Sequence, residues 1–349
     1  MALERTWLAL RSLGFGTQRV IPSLDGLRAI SIAFVLLSHL SGTRHFFNSR
    51  WLEELGELGV RIFFIISGYL ITSILLEELD RKGSISLPRF YFRRMMRLFP
   101  AAYFLIAVTT ALASSGFVQM APRDTLFAVT YTMNYYEARG WPLGHLWSLG
   151  VEEQFYLLWP LLLSRLAVLK CRSLLLAIFV LGPFFHITAF YVAPAFNFLR
   201  WTDALAAGCL LAIIREELSS ADGYLRLISS KWFFLVPLAA MAANYIPYAK
   251  VTQLAGETIM NLAIVVSMDW SMRNTNGLMG RFLNHPAISF IGVLSYSIYL
   301  WQQLFLNKNS DRAYCAFPLN ILLALTVALI SYVLIETPFL RLRRVIERT

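Results

Sequence analysis

Apolar runs of about 20 residues, the length that crosses the hydrocarbon core of a bilayer as a helix, recur from one end of the chain to the other. Ten are marked, at 22–42, 57–77, 98–118, 146–166, 173–193, 198–216, 231–249, 254–272, 286–306 and 318–340. The stretch 123–137 is too short to span and is expected to lie in the interface or re-enter. No period of the length that marks repeat proteins recurs, and no Gly/Ser-rich or Pro-rich linker interrupts the pattern. The pattern predicts an all-α integral membrane protein of about ten transmembrane helices, a single polytopic domain over 1–349 with no appended soluble domain. The first run follows Arg5, Arg11 and Arg19, as a signal peptide would. It contains Asp25 and Arg28 and lacks a small-residue cleavage site, so it is expected to be a retained helix.

Composition agrees. Hydrophobic residues make up 57% and charged residues 15% of the 349, with mean hydropathy +0.58, whereas soluble domains carry about 25% charged residues. The net charge of +10 would raise the question of a nucleic-acid partner in a soluble protein, but its distribution answers to the membrane. With ten spans, the loops on the side of the termini hold 21 Lys and Arg and the opposite loops 8. Cytoplasmic loops retain Lys and Arg, so both termini are expected to be cytoplasmic. Cys171, Cys209 and Cys315 form no C-x-x-C pair and suggest neither a zinc site nor a disulfide framework.

Charge at bilayer depth costs at least a few kcal/mol, so ionisable residues inside the spans are candidates for function. In IPSLDGLRAISIAFVLLSHL, Asp25, Arg28 and His39 share one stripe: Arg28 and His39 differ by about 20° around the helix, Asp25 and His39 by about 40°. Arg28 lies about 16 Å below His39 along the axis, too far to touch it. In GHLWSLGVEEQFYLLWP, His145, Ser148, Glu152, Tyr156 and Trp159 fall on one helical face, and Glu153 points elsewhere. In LSYSIYLWQQ, Ser295, Tyr299 and Gln302 share a face able to line a polar cavity. Arg61, Arg200, Asp203, Asp269 and Glu336 complete the set, each of a kind that more often makes a helix-packing hydrogen bond than does chemistry. In LPRFYFRRMMRLFP, Arg94 and Arg97 stand at i and i+3 with Arg89 and Arg93 nearby. They read either as plain positive-inside bias or as a clamp for phosphate, which guanidinium forks bind in bidentate fashion.

Seven segments taken in order, SLDGLRAISIAFVLLSH, GVRIFFIISGYLIT, FRRMMRLFPAAYF, GHLWSLGVEEQFYLLWP, RWTDALAAGCLLA, LSYSIYLWQQ and ETPFLRLRR, resemble acyltransferase family 3 from about residue 21 to residue 344. That family O-acylates bacterial surface glycans. Its basic-residue, ten-spacer, histidine motif matches Arg28 and His39, its arginine pair matches Arg94 and Arg97, and the glutamate of its S-L-x-x-E element matches Glu152. The resemblance implies an acyl-CoA donor, acetyl-CoA in the first instance, as co-substrate, and no metal. It also implies a glycan or lipid-linked saccharide acceptor, contact with membrane lipids, no nucleic acid, and residence in the bacterial inner membrane. His39 is the base it implies. Glu152 either orients the histidine or is itself the base, and Asp25 and Arg28 are further catalytic candidates. Arg94, Arg97 and Arg93 are expected on the CoA phosphates, and His145, Ser148, Tyr156, Tyr299 and Gln302 on the substrate. Many relatives carry histidine after the Y-S-I-Y-L-W run; this chain has Gln302 and Gln303, so no acid–base role is assigned there. Aromatic residues of the 119–145 loop, Tyr131, Tyr135, Tyr136 and Trp141, suit sugar stacking or an interfacial belt equally. The competing classes are a secondary transporter or flippase for a lipid-linked glycan, and a non-catalytic scaffold. No Gly/Pro-broken helices recur in matching halves, as transporters would show.

Overall fold

The apolar runs fold as helices. In the computed structural model, which describes residues 21–188, 199–245 and 256–348, every regular element among the described residues is helical. The run 22–42 becomes Leu24–Leu40, 146–166 becomes Leu146–Arg165, 254–272 becomes Glu257–Arg273 and 286–306 becomes Pro286–Phe305. The run 57–77 lies inside the 33-residue helix Arg50–Lys82. The run 98–118 starts earlier, as Leu87–Ser114, so the arginines before it stand on that same helix at fixed spacing. The run 173–193 is divided into Val168–Val180 and Gly182–Ile187, with Pro183, which has no backbone N–H to donate, in the first turn of the second helix. The last run continues through a π-turn at Tyr332–Glu336 into Thr337–Arg348. Among the described residues three helices, Arg50–Lys82, Leu87–Ser114 and Leu319–Glu347, are long and apolar enough to cross a membrane. Between 119 and 145 the chain forms only the short helices Asp124–Val129, Met133–Tyr135 and Trp141–Gly144. Arg5, Arg11, Arg19, Lys250 and the ends of the runs near 193, 198, 249 and 254 lie outside the described residues.

The chain forms two units: Met1–Gly56 with Pro88–Gly150 and Thr275–Thr349, and Glu57–Leu87 with Val151–Asn274. The first is built on Leu24–Leu40 against Pro286–Phe305. Two glycines make that approach possible: a Cβ at Gly292 would stand 1.8 Å from the Asp25 carbonyl oxygen, and one at Gly26 would stand 2.3 Å from that of Leu283. Side chains are absent where the backbones meet, as in small-residue helix packing in lipid. Asp25 lies at Gly292 and His39 at Gln302, so the two helices run parallel.

In the second unit Arg50–Lys82 meets Thr202–Ser220 in the same manner, with Gly68 on the Leu205 carbonyl and Gly208 on that of Ile65. Its buried charges neutralise one another. Fully buried Arg61 donates to Glu257 Oε2 at 2.7 Å and to Asn261 Oδ1 at 3.1 Å. Arg200 donates to Glu257 Oε1 at 2.8 Å, Asn261 to Asp203 at 2.8 Å, and His186 Nε2 lies 3.1 Å from Asp203. The Trp201 ring faces both guanidiniums, 4.9 Å from Arg61 and 5.3 Å from Arg200. A second knot closes on buried Asp269, which accepts from Arg215, Arg273 and Tyr224.

Candidate functional site

His39 occupies the last turn of Leu24–Leu40, partly buried in the first unit. Its Nδ1 lies 2.7 Å from Gln302 Oε1 on the parallel helix. An amide oxygen only accepts, so the proton sits on Nδ1 and Nε2 keeps its lone pair. Nε2 has no hydrogen-bond partner among the described residues. The Trp141 ring packs edge-on against the imidazole at 5.3 Å, fixing its plane. Gln302 is fully buried, and its own Nε2 finds no partner among the described residues.

Trp141 belongs to the end of the 119–145 connection, which docks on the last turns of Pro286–Phe305. Trp141 Nε1 donates to the Gln303 carbonyl at 3.0 Å, and the His145 backbone N–H donates to Gln303 Oε1 at 3.1 Å. The buried His145 ring faces oxygen on both sides, Gln303 Oε1 at 2.8 Å from Nδ1 and the Leu300 carbonyl at 3.0 Å from Nε2. Tyr299 donates to the His145 carbonyl at 2.8 Å, and its hydroxyl lies 2.5 Å from Ser148 Oγ. Consecutive glutamines thus each hold one histidine. The cluster gathers His39, His145, Ser148, Tyr299 and Gln302 in one unit. Of the loop tyrosines, Tyr136 stacks on Phe127 and Tyr131 on Phe99, while Tyr135 is exposed.

Arg28 pairs with Asp25 at 3.2 Å, at the opposite end of the helix from His39. On Leu87–Ser114, Arg93 Nε donates to Glu347 at 2.5 Å, and Arg94 lies over the Phe90 ring at 5.7 Å. Arg97 is within Coulombic reach of Glu336, which accepts from Ser297 Oγ. The Tyr296 hydroxyl donates to the Leu98 carbonyl at 2.7 Å, tying the arginine helix to Pro286–Phe305. Tyr296 precedes Gln302 by six residues, about 9 Å of helix rise.

Glu152 and Tyr156 belong to the second unit. There the carboxylate accepts from the Ser67 hydroxyl and, at 2.8 Å, from that of Tyr156. Sequence reasoning singled out neither Ser67 as the partner of Glu152 nor Glu257, Asn261 and His186 in the buried charge network. A carboxylate at 257 and a histidine at 186 inside apolar runs were the available signals.

A family model described as an acyltransferase domain matches residues 21–337. The O-acetyltransferase OatA of Staphylococcus aureus, strains NCTC 8325 / PS 47 and COL, is 31% identical over 364 residues, covering 92% of this chain and 57% of the relative. The chain thus spans a little more than half the length of these relatives. No solved structure matches.

Proposed function

Because the chain belongs to the acyltransferase family whose domain model spans residues 21–337, we propose that it is a membrane O-acyltransferase. In this reading it moves an acyl group, acetyl in the first instance, from cytoplasmic acyl-CoA to a hydroxyl of a carbohydrate or glycolipid acceptor. The observation that carries the reading is the His39–Gln302 pair. Acyl transfer to oxygen needs a base whose lone pair faces the substrate, and Gln302 accepting from Nδ1 leaves Nε2 as that base. Nε2 takes the hydroxyl proton as the acceptor oxygen attacks the thioester carbonyl. The C–O bond forms, the C–S bond breaks as the tetrahedral adduct collapses, and Nε2 returns the proton to the departing thiolate. Gln302 takes the orienting part that an asparagine takes in the Cys-His-Asn triads. The adjacent Ser148 and Tyr299 hydroxyls, with His145 bracing the loop, are assigned to acceptor contact. Acid–base duty is proposed also for Glu152, and a supporting electrostatic role for Asp25 and Arg28.

Arg94 and Arg97, with Arg93, are assigned to the CoA phosphates. Successive guanidiniums on one helix suit a polyphosphate, and the 9 Å rise estimated above brings their helix within reach of the level of His39. The ten-span arrangement with cytoplasmic termini belongs to the same proposal. It is supported by the parallel course of Leu24–Leu40 and Pro286–Phe305, since a first and a ninth span must point the same way. Relatives from a bacterium support the cell membrane as its location.

Gln302→Leu is expected to lower kcat by up to about 10²-fold, the low end of what a positioned acid–base group contributes, with donor KM unchanged. Steady-state kinetics at varied acetyl-CoA checks this, and an effect confined to KM would remove Gln302 from its orienting role. Replacing Arg94 and Arg97 together by glutamine is expected to raise donor KM by more than it lowers kcat. The test of the whole reading is thiol release from acetyl-CoA by purified protein, with and without an envelope-glycan extract. Release that rises with extract supports it. Absence of release in folded protein favours the transporter.

A further inference from the structure

We propose that the C-terminal helix Thr337–Arg348 supplies a second phosphate site, Arg343 with Arg344, for the ribose 3′-phosphate of the CoA donor. The inference rests on the acyl-CoA reading above and sharpens it. Arg343 is buried, and its Nε has no hydrogen-bond partner among the described residues, the Glu347 carboxylate lying 4.0 Å away. That carboxylate already holds Arg93 at 2.5 Å. The charges that act most strongly on Arg343 among the described residues are those of Glu347, Arg93, Arg344 and Arg94. Arg97 and Arg344 both lie in reach of Tyr332, which joins the two groups of arginines across the two helices.

A guanidinium stays charged at any relevant pH. Burying one among like charges is unfavourable unless an anion compensates it. Glu347 is shared between Arg93 and Arg343, and the Arg343 Nε is left without a hydrogen-bond partner among the described residues. The π-turn Tyr332–Glu336 adds one residue to the turn just before this helix and so rotates Arg343 and Arg344 relative to an uninterrupted α-helix; such turns are frequent at functional sites. Coenzyme A presents two phosphate groups, a pyrophosphate and a separate ribose monoester. Two arginine groups on two helices match two anions better than one. Lipid headgroups present the same phosphate chemistry, and the test separates the two sources.

The experiment is equilibrium binding of CoA and of dephospho-CoA, which lacks only the monoester, to the full chain in zwitterionic nanodiscs without acceptor. The wild type is expected to bind CoA about tenfold tighter than dephospho-CoA or better, a difference of about 1.4 kcal/mol. Arg343→Gln and Arg344→Gln are expected to erase that preference while leaving dephospho-CoA affinity within about twofold, a small fraction of a tenfold step. Arg343→Lys, which keeps the charge, restores part of the preference. The double Arg94→Gln, Arg97→Gln variant weakens both ligands. Equal wild-type affinity for the two ligands, or a preference that survives both glutamine variants, overturns the second site alone. Binding of neither ligand overturns the donor reading beneath it. Loss of the preference when anionic phosphatidylglycerol is added to the nanodisc assigns the cluster to lipid phosphate and also overturns the proposal.

Discussion

Alanine at His39 is expected to slow acetyl transfer by about 10² to 10⁴-fold, the range that a positioned acid–base group contributes. The mechanism routes the acceptor proton through Nε2, and no other ring nitrogen in the cluster can take it over, because His145 faces oxygen on both sides. The loss should fall on kcat, with donor KM nearly unchanged, since the arginines assigned to phosphate stand on another helix. Some stability is also lost. The buried Gln302 oxygen would be left without its donor, at a cost of about 1–3 kcal/mol. His39→Gln refills part of the space with a polar group but supplies no base, so it should recover the melting temperature and not the rate. A His39→Ala protein with wild-type rate would remove the imidazole from the chemistry.

The second large effect is structural. Glu257→Ala strips the shared carboxylate from Arg61 and Arg200 and leaves a fully buried guanidinium without its counter-ion. Breaking a buried pair on one side costs about 3–5 kcal/mol, so thermal unfolding in detergent should shift far down or the protein should fail to accumulate. Glu257→Gln keeps an acceptor for Arg61 and should fall between. Replacing Arg61 and Glu257 together by leucine should cost less than Glu257→Ala, because the uncompensated charge is removed. Equal melting temperatures for wild type and Glu257→Ala would show that the network contributes nothing to stability.

Hydropathy reads helices well where a run is uniformly apolar, and Leu24–Leu40 and Pro286–Phe305 agree with their predicted spans to within two residues. It reads them poorly where charge stands on the same helix. The arginines before residue 98 lower the average and placed the expected start of that span eleven residues after Leu87, although nothing there breaks a helix. Gly182 and Pro183 broke another run that hydropathy alone treats as continuous. The site shows a similar division. His39 was legible because a histidine on a stripe with two charges is out of place in lipid. Its partner was not, because Gln302 lies 263 residues away and only helix packing sets their register. Gln302 and Gln303 were given no acid–base role on residue type, and only helix packing shows which imidazole nitrogen each amide oxygen faces. Arg61 and Glu257, 196 residues apart, were hidden in the same way. The division into two units, each assembled from segments distant in sequence, left no mark in composition.

The central claim is ester formation dependent on His39. Purified protein in nanodiscs is supplied with isotope-labelled acetyl-CoA and an envelope-glycan extract, and the extract is analysed for alkali-labile labelled acetyl esters. The account predicts label in a saccharide-containing fraction with the wild type and little with His39→Ala. Labelled ester formed equally by His39→Ala, or label absent from every acceptor fraction while folded wild-type protein binds CoA, would contradict it.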